Sequence, residues 1–166
     1  IEADYERLLS EELHEDECGA FLVWGDPTLY DSTLRIIKHI GAKADFPLEY
    51  EVIPGISAVQ ALAARHQVAL NRIGESLYVT TGRKLAEGLP SHADSVVVLL
   101  DGDQAFKKLA DQDLDIYWGA YLGTEEEVLI AGKLSETMGD IERIRAQKRE
   151  QNGWIMDTYL LRKPEK

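Results

Sequence analysis

Cysteine is nearly absent from this 166-residue chain. Cys18 is the single one, so no disulfide can form within it and thiolate-rich zinc sites are excluded. A lone thiol fits a reducing compartment, and a cytoplasmic protein is expected. Cations are scarce beside anions: 18 Lys and Arg face 30 Asp and Glu, for a formal net charge of −12 and a pI near 4.7. That balance disfavours non-specific binding to nucleic acid or to an anionic membrane. No apolar run approaches the ~18 residues of a membrane span. No G-x-x-x-x-G-K-[ST] loop and no G-x-G-x-x-G is present, and Gly55-Ile56-Ser57-Ala58-Val59 lacks the second glycine of a nucleophile elbow. His39, His66 and His92 show no ligand spacing, and His14 with Cys18 are two donors short of a metal site, so no metal is expected. Internal repeats and low-complexity tracts are lacking too.

What is present is enough apolar material for a packed core, 45% of residues. The chain opens at Ile1 in what already reads as the middle of a helix over residues 3–13, with Tyr5, Leu8, Leu9 and Leu13 on one stripe. A piece of a longer protein is therefore expected. The acidic run Glu11–Glu17 ends that helix as a solvated loop. Ala20–Trp24 reads as a buried strand, closed by Gly25-Asp26-Pro27, with Asp26 as the N-cap and Pro27 as the first residue of a helix carrying Leu29, Thr33, Ile36, Ile37 and Ile40. The same grammar returns in Tyr50–Ile53, Pro54-Gly55, and a helix from Ser57 through Leu62. It returns again in Ser76–Thr80 before Thr81-Gly82-Arg83, and in Ser95–Leu100 before Asp101-Gly102-Asp103 and a helix with Phe106 and Leu109. Repeated strand–turn–helix units predict an α/β fold with largely parallel pairing.

The last third predicts a hairpin of Leu114–Leu122 with Val128–Ile130, a helix over about 135–148 carrying Met138, Ile141 and Ile144, and a final strand Trp154–Leu161. An antiparallel portion of the second sheet follows from this. The composition break at 67–74 places a domain boundary, giving domains 1–72 and 73–166. Trp24, Trp118 and Trp154 read as core aromatics.

Ligands of open α/β sheets bind outside the carboxyl ends of the strands. There the chain offers Gly25-Asp26-Pro27, Pro54-Gly55-Ile56-Ser57 and Asp101-Gly102, with Asp26 able to accept hydrogen bonds from ribose hydroxyls. Each motif alone is more often a plain helix start than a site. In order and spacing, Trp24-Gly25-Asp26-Pro27-Thr28-Leu29-Tyr30 followed by Val52-Ile53-Pro54-Gly55-Ile56-Ser57-Ala58 resembles the tetrapyrrole methylases. These transfer methyl groups from S-adenosylmethionine to corrin and sirohaem precursors, using two α/β domains with the donor in the cleft between them. The resemblance covers the whole chain: 1–72 is similar to the second half of the first domain and 73–166 to the second. The family's glycine-rich N-terminal loop is expected upstream of Ile1, so the N-terminal part of the first domain is missing from this chain. Within the family, Trp24–Thr33, Thr80-Thr81-Gly82-Arg83 and Tyr121-Leu122-Gly123-Thr124 resemble the branch that methylates C1 of precorrin-5 and releases acetate.

By that resemblance, the donor contacts fall on Trp24, Gly25, Asp26, Leu29, Ser57 and Ala58. They continue at Leu100, where the family often has methionine, and at Gly123 and Thr124 in the turn that meets the adenosine. A substrate rich in carboxylates needs a cationic patch, for which Arg72, Arg83 and Lys84 are best placed in sequence, with Arg83 and Lys84 taken as the substrate contacts. A homodimer is expected by the same resemblance, with the exposed face of Trp118–Leu122 as its interface. Two alternatives stay open: a non-catalytic nucleotide-binding α/β module, and a sister methyltransferase acting on another substrate.

Overall fold

The computed structural model describes residues 1–14 and 16–164, so Glu15 of the acidic run lies outside the described residues. The chain divides into two compact units, Ile1–Ser57 and Ala58–Lys166.

The first unit holds α1 (Glu2–Arg7), a π-helical turn (Leu8–Glu12) and α2 (Thr33–Lys43). The spacing of Thr33, Ile36, Ile37 and Ile40 puts all four on one face of α2, and all four are buried. The ring of Tyr5 stacks on Phe21 with centroids 4.3 Å apart.

The second unit begins with α3 (Ala58–His66), followed by β1 (Leu77–Thr81), the single turn α4 (Gly82–Leu85) and β2 (Ser95–Leu99). A 3-10 turn (Ala105–Leu109) leads to β3 (Asp115–Ala120), β4 (Val128–Lys133), the long helix α5 (Leu134–Asn152) and β5 (Asp157–Arg162). The five strands form one sheet in the order β1-β2-β5-β3-β4. Side chains alternate across it with the period of two that a strand imposes. Val96, Val98, Ile116, Trp118, Tyr159 and Leu161 share a core with Phe106 and Ile141. Val97 and Leu160 are as deeply buried on the other face. There α3 packs against β3, β4 and β5, with His66 edge-on to Tyr117.

Several expectations need correction. Ala20–Trp24 and Tyr50–Ile53 join no strand ladder among the described residues. Leu22 is 96% exposed and Ile53 77%. An apolar extended segment becomes a strand only where another backbone meets its N–H and C=O groups. Pairing in the sheet is mainly antiparallel, since β1 with β2 is the parallel pair and the other three pairings run antiparallel. The reason is that β5 inserts between β2 and β3.

Asp26 does not cap α2, which starts at Thr33 with the Thr33 amide donating to Asp31 Oδ1 at 2.6 Å. Of the three tryptophans, Trp118 is fully buried, whereas Trp24 and Trp154 are exposed. The expected interface strand has no free face, because Trp118, Ala120 and Tyr121 all lie in the core. No helix among the described residues is long and apolar enough to cross a membrane.

Phe106 is fully buried, edge-on to Tyr159 at 5.2 Å between centroids. Phe106→Ala is expected to destabilise the second unit by about 3–5 kcal/mol, the usual effect of emptying an aromatic site. Urea unfolding of the complete gene product measures it, and a loss below ~1 kcal/mol would show that the site collapses around the gap.

Candidate functional site

In the first unit the two motifs meet on one carboxylate. Asp26 Oδ1 accepts the Thr28 amide at 2.8 Å and also the Thr28 hydroxyl, while Oδ2 accepts the Gly55 amide at 2.9 Å. Gly25 has φ 78°, a left-handed conformation that favours glycine. Gly55 is required for a different reason. A Cβ there would come within 2.0 Å of the Gly25 carbonyl oxygen, so the two loops touch backbone to backbone. The hydrogen bond from the Thr28 hydroxyl foremost, then those from the Gly55 and Thr28 amides, hold the Asp26 carboxyl below its ordinary value of 3.8.

In the second unit the carboxyl ends of β1, β2 and β3 lie along one edge of the sheet. Thr81-Gly82, Leu100-Asp101 and Tyr121–Thr124 therefore line that edge. Gly82 and Asp101 interlock: a Cβ on Gly82 would fall 2.2 Å from Asp101 Oδ1. Asp101 is buried, and its Oδ2 accepts the Ala105 amide at 2.7 Å and the Tyr159 hydroxyl at 2.5 Å. Burial, and then the bond to Asp101, push the Tyr159 phenol far above its ordinary value. Leu100 is 69% exposed although it directly follows the buried strand β2. Its φ of 54° is left-handed, as is that of Tyr121 at 51°.

The turn after β3 is pinned by Glu127, which accepts the Gly123 amide at 2.8 Å and two nitrogens of Arg65, each at 2.6 Å. The Gly123 amide first, with Arg65 adding to it, holds the Glu127 carboxyl below its usual 4.5. Gly123 itself has φ 79° and open space where a Cβ would point. The Thr124 hydroxyl donates to the Tyr121 carbonyl at 2.8 Å, so it is engaged within the turn.

The structure thus brings Gly25 and Asp26 against the Gly55 loop, with Trp24 exposed beside them in sequence, and places Leu100, Gly123 and Thr124 on one sheet edge. Leu29 donates its amide to the Asp26 carbonyl at 3.2 Å. Ser57 is buried, and Ala58 is the first residue of α3. The expected cationic patch does not gather. Arg72 donates to the Lys163 carbonyl at 3.1 Å, beyond the last residue of β5 and so at the opposite edge from Arg83. Lys84 pairs with Glu87 at 3.1 Å beside a surface depression of about 320 Å³ lined also by Tyr78, Thr80 and Pro90. Among the described residues, no group of three or more His, Cys, Asp and Glu side chains is placed to hold a metal ion.

Sequence reading missed Arg65, Glu127, Arg145, Asp157 and Tyr159. One signal was available: Arg145 lies four residues after Ile141 on the buried stripe of α5.

The profile of the Tetrapyrrole (Corrin/Porphyrin) Methylases matches residues 2–137. A Sinorhizobium protein named precorrin-6A synthase [deacetylating] is 52% identical over 159 residues, which is 96% of this chain and 61% of that protein. The chain therefore spans less than two thirds of that relative's length. A crystal structure of a cobalamin synthesis related protein (CobF) from Corynebacterium diphtheriae matches with a TM-score of 0.91 and 45% identity, covering 99% of this chain and 71% of that one. Uroporphyrin-III C-methyl transferase from Thermus thermophilus, complexed with S-adenyl homocysteine, shares the fold at a TM-score of 0.53 and 17% identity, covering 82% and 62% of the two chains.

The Asp26 bond to Gly55 can be read directly. The amide proton resonances of Gly55 and Thr28 should both follow the Asp26 titration by NMR, with a midpoint below 3.8. The sign is fixed by the depressed carboxyl: its contribution to stability is present above the unfolded value and is lost as pH falls through the folded one. A Gly55 resonance that does not move with Thr28 would break the link between the two loops.

Proposed function

Because the chain belongs to the tetrapyrrole (corrin/porphyrin) methylases, we propose that the complete protein is an S-adenosylmethionine-dependent C-methyltransferase of cobalamin biosynthesis. It methylates precorrin-5 at C1 and releases acetate, giving precorrin-6A. The observation that carries this reading is the Asp26–Gly55 contact, which joins the two motifs of the family resemblance on one carboxylate. The 52% identity to a precorrin-6A synthase supports the choice of ring carbon.

The residues present fit the donor. Gly25 and Gly55 approach each other with no side chain between. Gly102 and Gly123 leave open backbone at the sheet edge, and Leu100 offers an exposed apolar surface. We assign donor binding to Trp24, Gly25, Asp26, Leu29, Ser57, Ala58, Leu100, Gly123 and Thr124. When bound, S-adenosylmethionine supplies a methyl group already activated as a sulfonium, so no strong base is required for its transfer. The chain's task is to hold two reactants in line and keep water out, which is catalysis by proximity. Asp26, with its carboxyl held ionised by Thr28 and Gly55, fixes the backbone of both loops in one geometry. Leu100 contributes contact area where the family often has methionine.

Calorimetric titration of the complete gene product with S-adenosylhomocysteine tests the assignment. Micromolar binding is expected, weakened at least about tenfold by Asp26→Ala, followed by acetate release from precorrin-5. A folded protein that binds no S-adenosylhomocysteine would instead be a module without this activity.

Substrate carboxylates meet Arg83 and Lys84 in this reading. Arg suits paired carboxylate oxygens, and the exposed Lys84–Glu87 pair is weak enough to open. Arg83→Ala should raise KM for the corrin substrate by about tenfold with kcat little changed, the pattern of a lost ground-state contact. An unchanged KM removes Arg83 from the site. The enzyme works in the cytoplasm and as a homodimer by the same family reading, with its interface outside the Trp118–Leu122 strand.

A further inference from the structure

A buried cation that the proposed chemistry does not use lies behind the sheet edge. The side chains of Arg145 and Asp157 are 7% and 6% exposed, with Arg145 Nε donating to Asp157 Oδ2 at 2.9 Å. The same guanidinium donates through Nη2 to the Asp101 carbonyl at 3.1 Å. Asp157 in turn accepts the indole N–H of Trp118 at 2.9 Å. One side chain of α5 therefore grips the loop after β2 and the start of β5. It reaches β3 through Asp157, because Ala120 pairs with Asp157 and the Tyr121 amide donates to the Met156 carbonyl at 2.9 Å.

The two loops held in this way each carry a strained residue. Leu100, immediately before Asp101, and Tyr121, immediately after Ala120, are left-handed without being glycine. Such a conformation persists only where surrounding structure over-determines it. A buried ion pair is weak evidence of a stabilising role, since the desolvation of both charges opposes their attraction. We propose that Arg145 is a positioning residue for the methyl donor, setting the Leu100–Gln104 loop and the Tyr121–Thr124 turn in one fixed register through Asp101 and Asp157. The inference rests on the function proposed above. Lysine cannot substitute, because a single ammonium lacks the planar fork that serves both acceptors at once. Tyr159 completes the device by donating to the Asp101 carboxylate from the neighbouring strand.

The test uses Arg145→Lys in the complete gene product, with Leu134→Ala as the control. Leu134 is fully buried but donates its amide to the Leu114 carbonyl, at the far end of β3 from Tyr121. Calorimetry with S-adenosylhomocysteine is run well below both thermal midpoints, beside amide exchange. Arg145→Lys is expected to weaken binding at least about tenfold and to speed exchange in both 100–104 and 121–124. Leu134→Ala should leave affinity within about twofold. If Arg145→Lys does not fold, Tyr159→Phe, which removes one hydroxyl, is expected to shift affinity and exchange in the same direction.

Wild-type affinity in a folded Arg145→Lys or Tyr159→Phe protein would overturn the inference while leaving the proposed function intact. An equal loss in Leu134→Ala would overturn it as well, by showing that any core damage has this effect. A wild-type protein that binds no S-adenosylhomocysteine would overturn both together.

Discussion

Carboxylates that accept backbone N–H groups hold every loop on which donor binding is proposed. Asp26 takes the amides of Thr28 and Gly55, Asp101 takes that of Ala105, and Glu127 takes that of Gly123. A charged acceptor forms a shorter and stronger bond than a neutral one. A loop with few apolar contacts of its own can thus be fixed by a single side chain. Part of the acidic excess of this sequence is therefore structural. The same groups explain where glycine is indispensable. Gly55 and Gly82 each lie so close to a neighbouring loop that a Cβ would collide, with the Gly25 carbonyl in one case and the Asp101 carboxylate in the other.

The second unit was legible in sequence because its inner strands β2 and β5 are buried on both faces. Continuous apolar runs such as Val96-Val97-Val98 have few other uses. The hairpin, the long helix and the final strand follow from periodicity in the same way. Strand order was not legible. Nothing in the local pattern says that β5 enters between β2 and β3, and that single insertion converts the expected mixed sheet, with its antiparallel portion confined to the hairpin and last strand, into a mainly antiparallel one. Ala20–Trp24 and Tyr50–Ile53 show the complementary error. Hydropathy reports that a segment is apolar, whereas a ladder depends on what the segment pairs with.

The candidate site divides along a similar line. Gly25, Asp26 and Gly55 stood out through the order and spacing of two motifs that resemble the tetrapyrrole methylases, each motif alone reading as a helix start. The side chains that hold the turns of the second unit did not stand out, since Glu127 and Arg145 look like ordinary charges on a polar hairpin and an amphipathic helix. Arg65 and Glu127 are 62 residues apart in sequence, and Arg145 meets Asp101 over 44. No spacing rule connects residues at such separations. Only the topology, which brings α3 onto β3 and packs α5 against β3 and β4, makes them neighbours.

The proposed recognition of a polycarboxylate substrate by so acidic a chain needs cations whose charge is not already committed. Arg145 is committed by burial and by Asp157, and Arg65 by Glu127. Arg72 is turned towards the opposite edge of the sheet. Lys84 is paired, but its partner Glu87 is as exposed as itself. An exposed pair is worth only about 0–1 kcal/mol, so exchanging Glu87 for a substrate carboxylate costs little. Arg83 makes no ion pair among the described residues and directly follows Gly82, which packs too closely against the Asp101 carboxylate to admit a Cβ. Gly82 is thus packed against an interior carboxylate while the neighbouring guanidinium is left for an exterior one. That division singles out Arg83, among Arg72, Arg83 and Lys84, as the cation on which the proposed recognition of an anionic substrate rests.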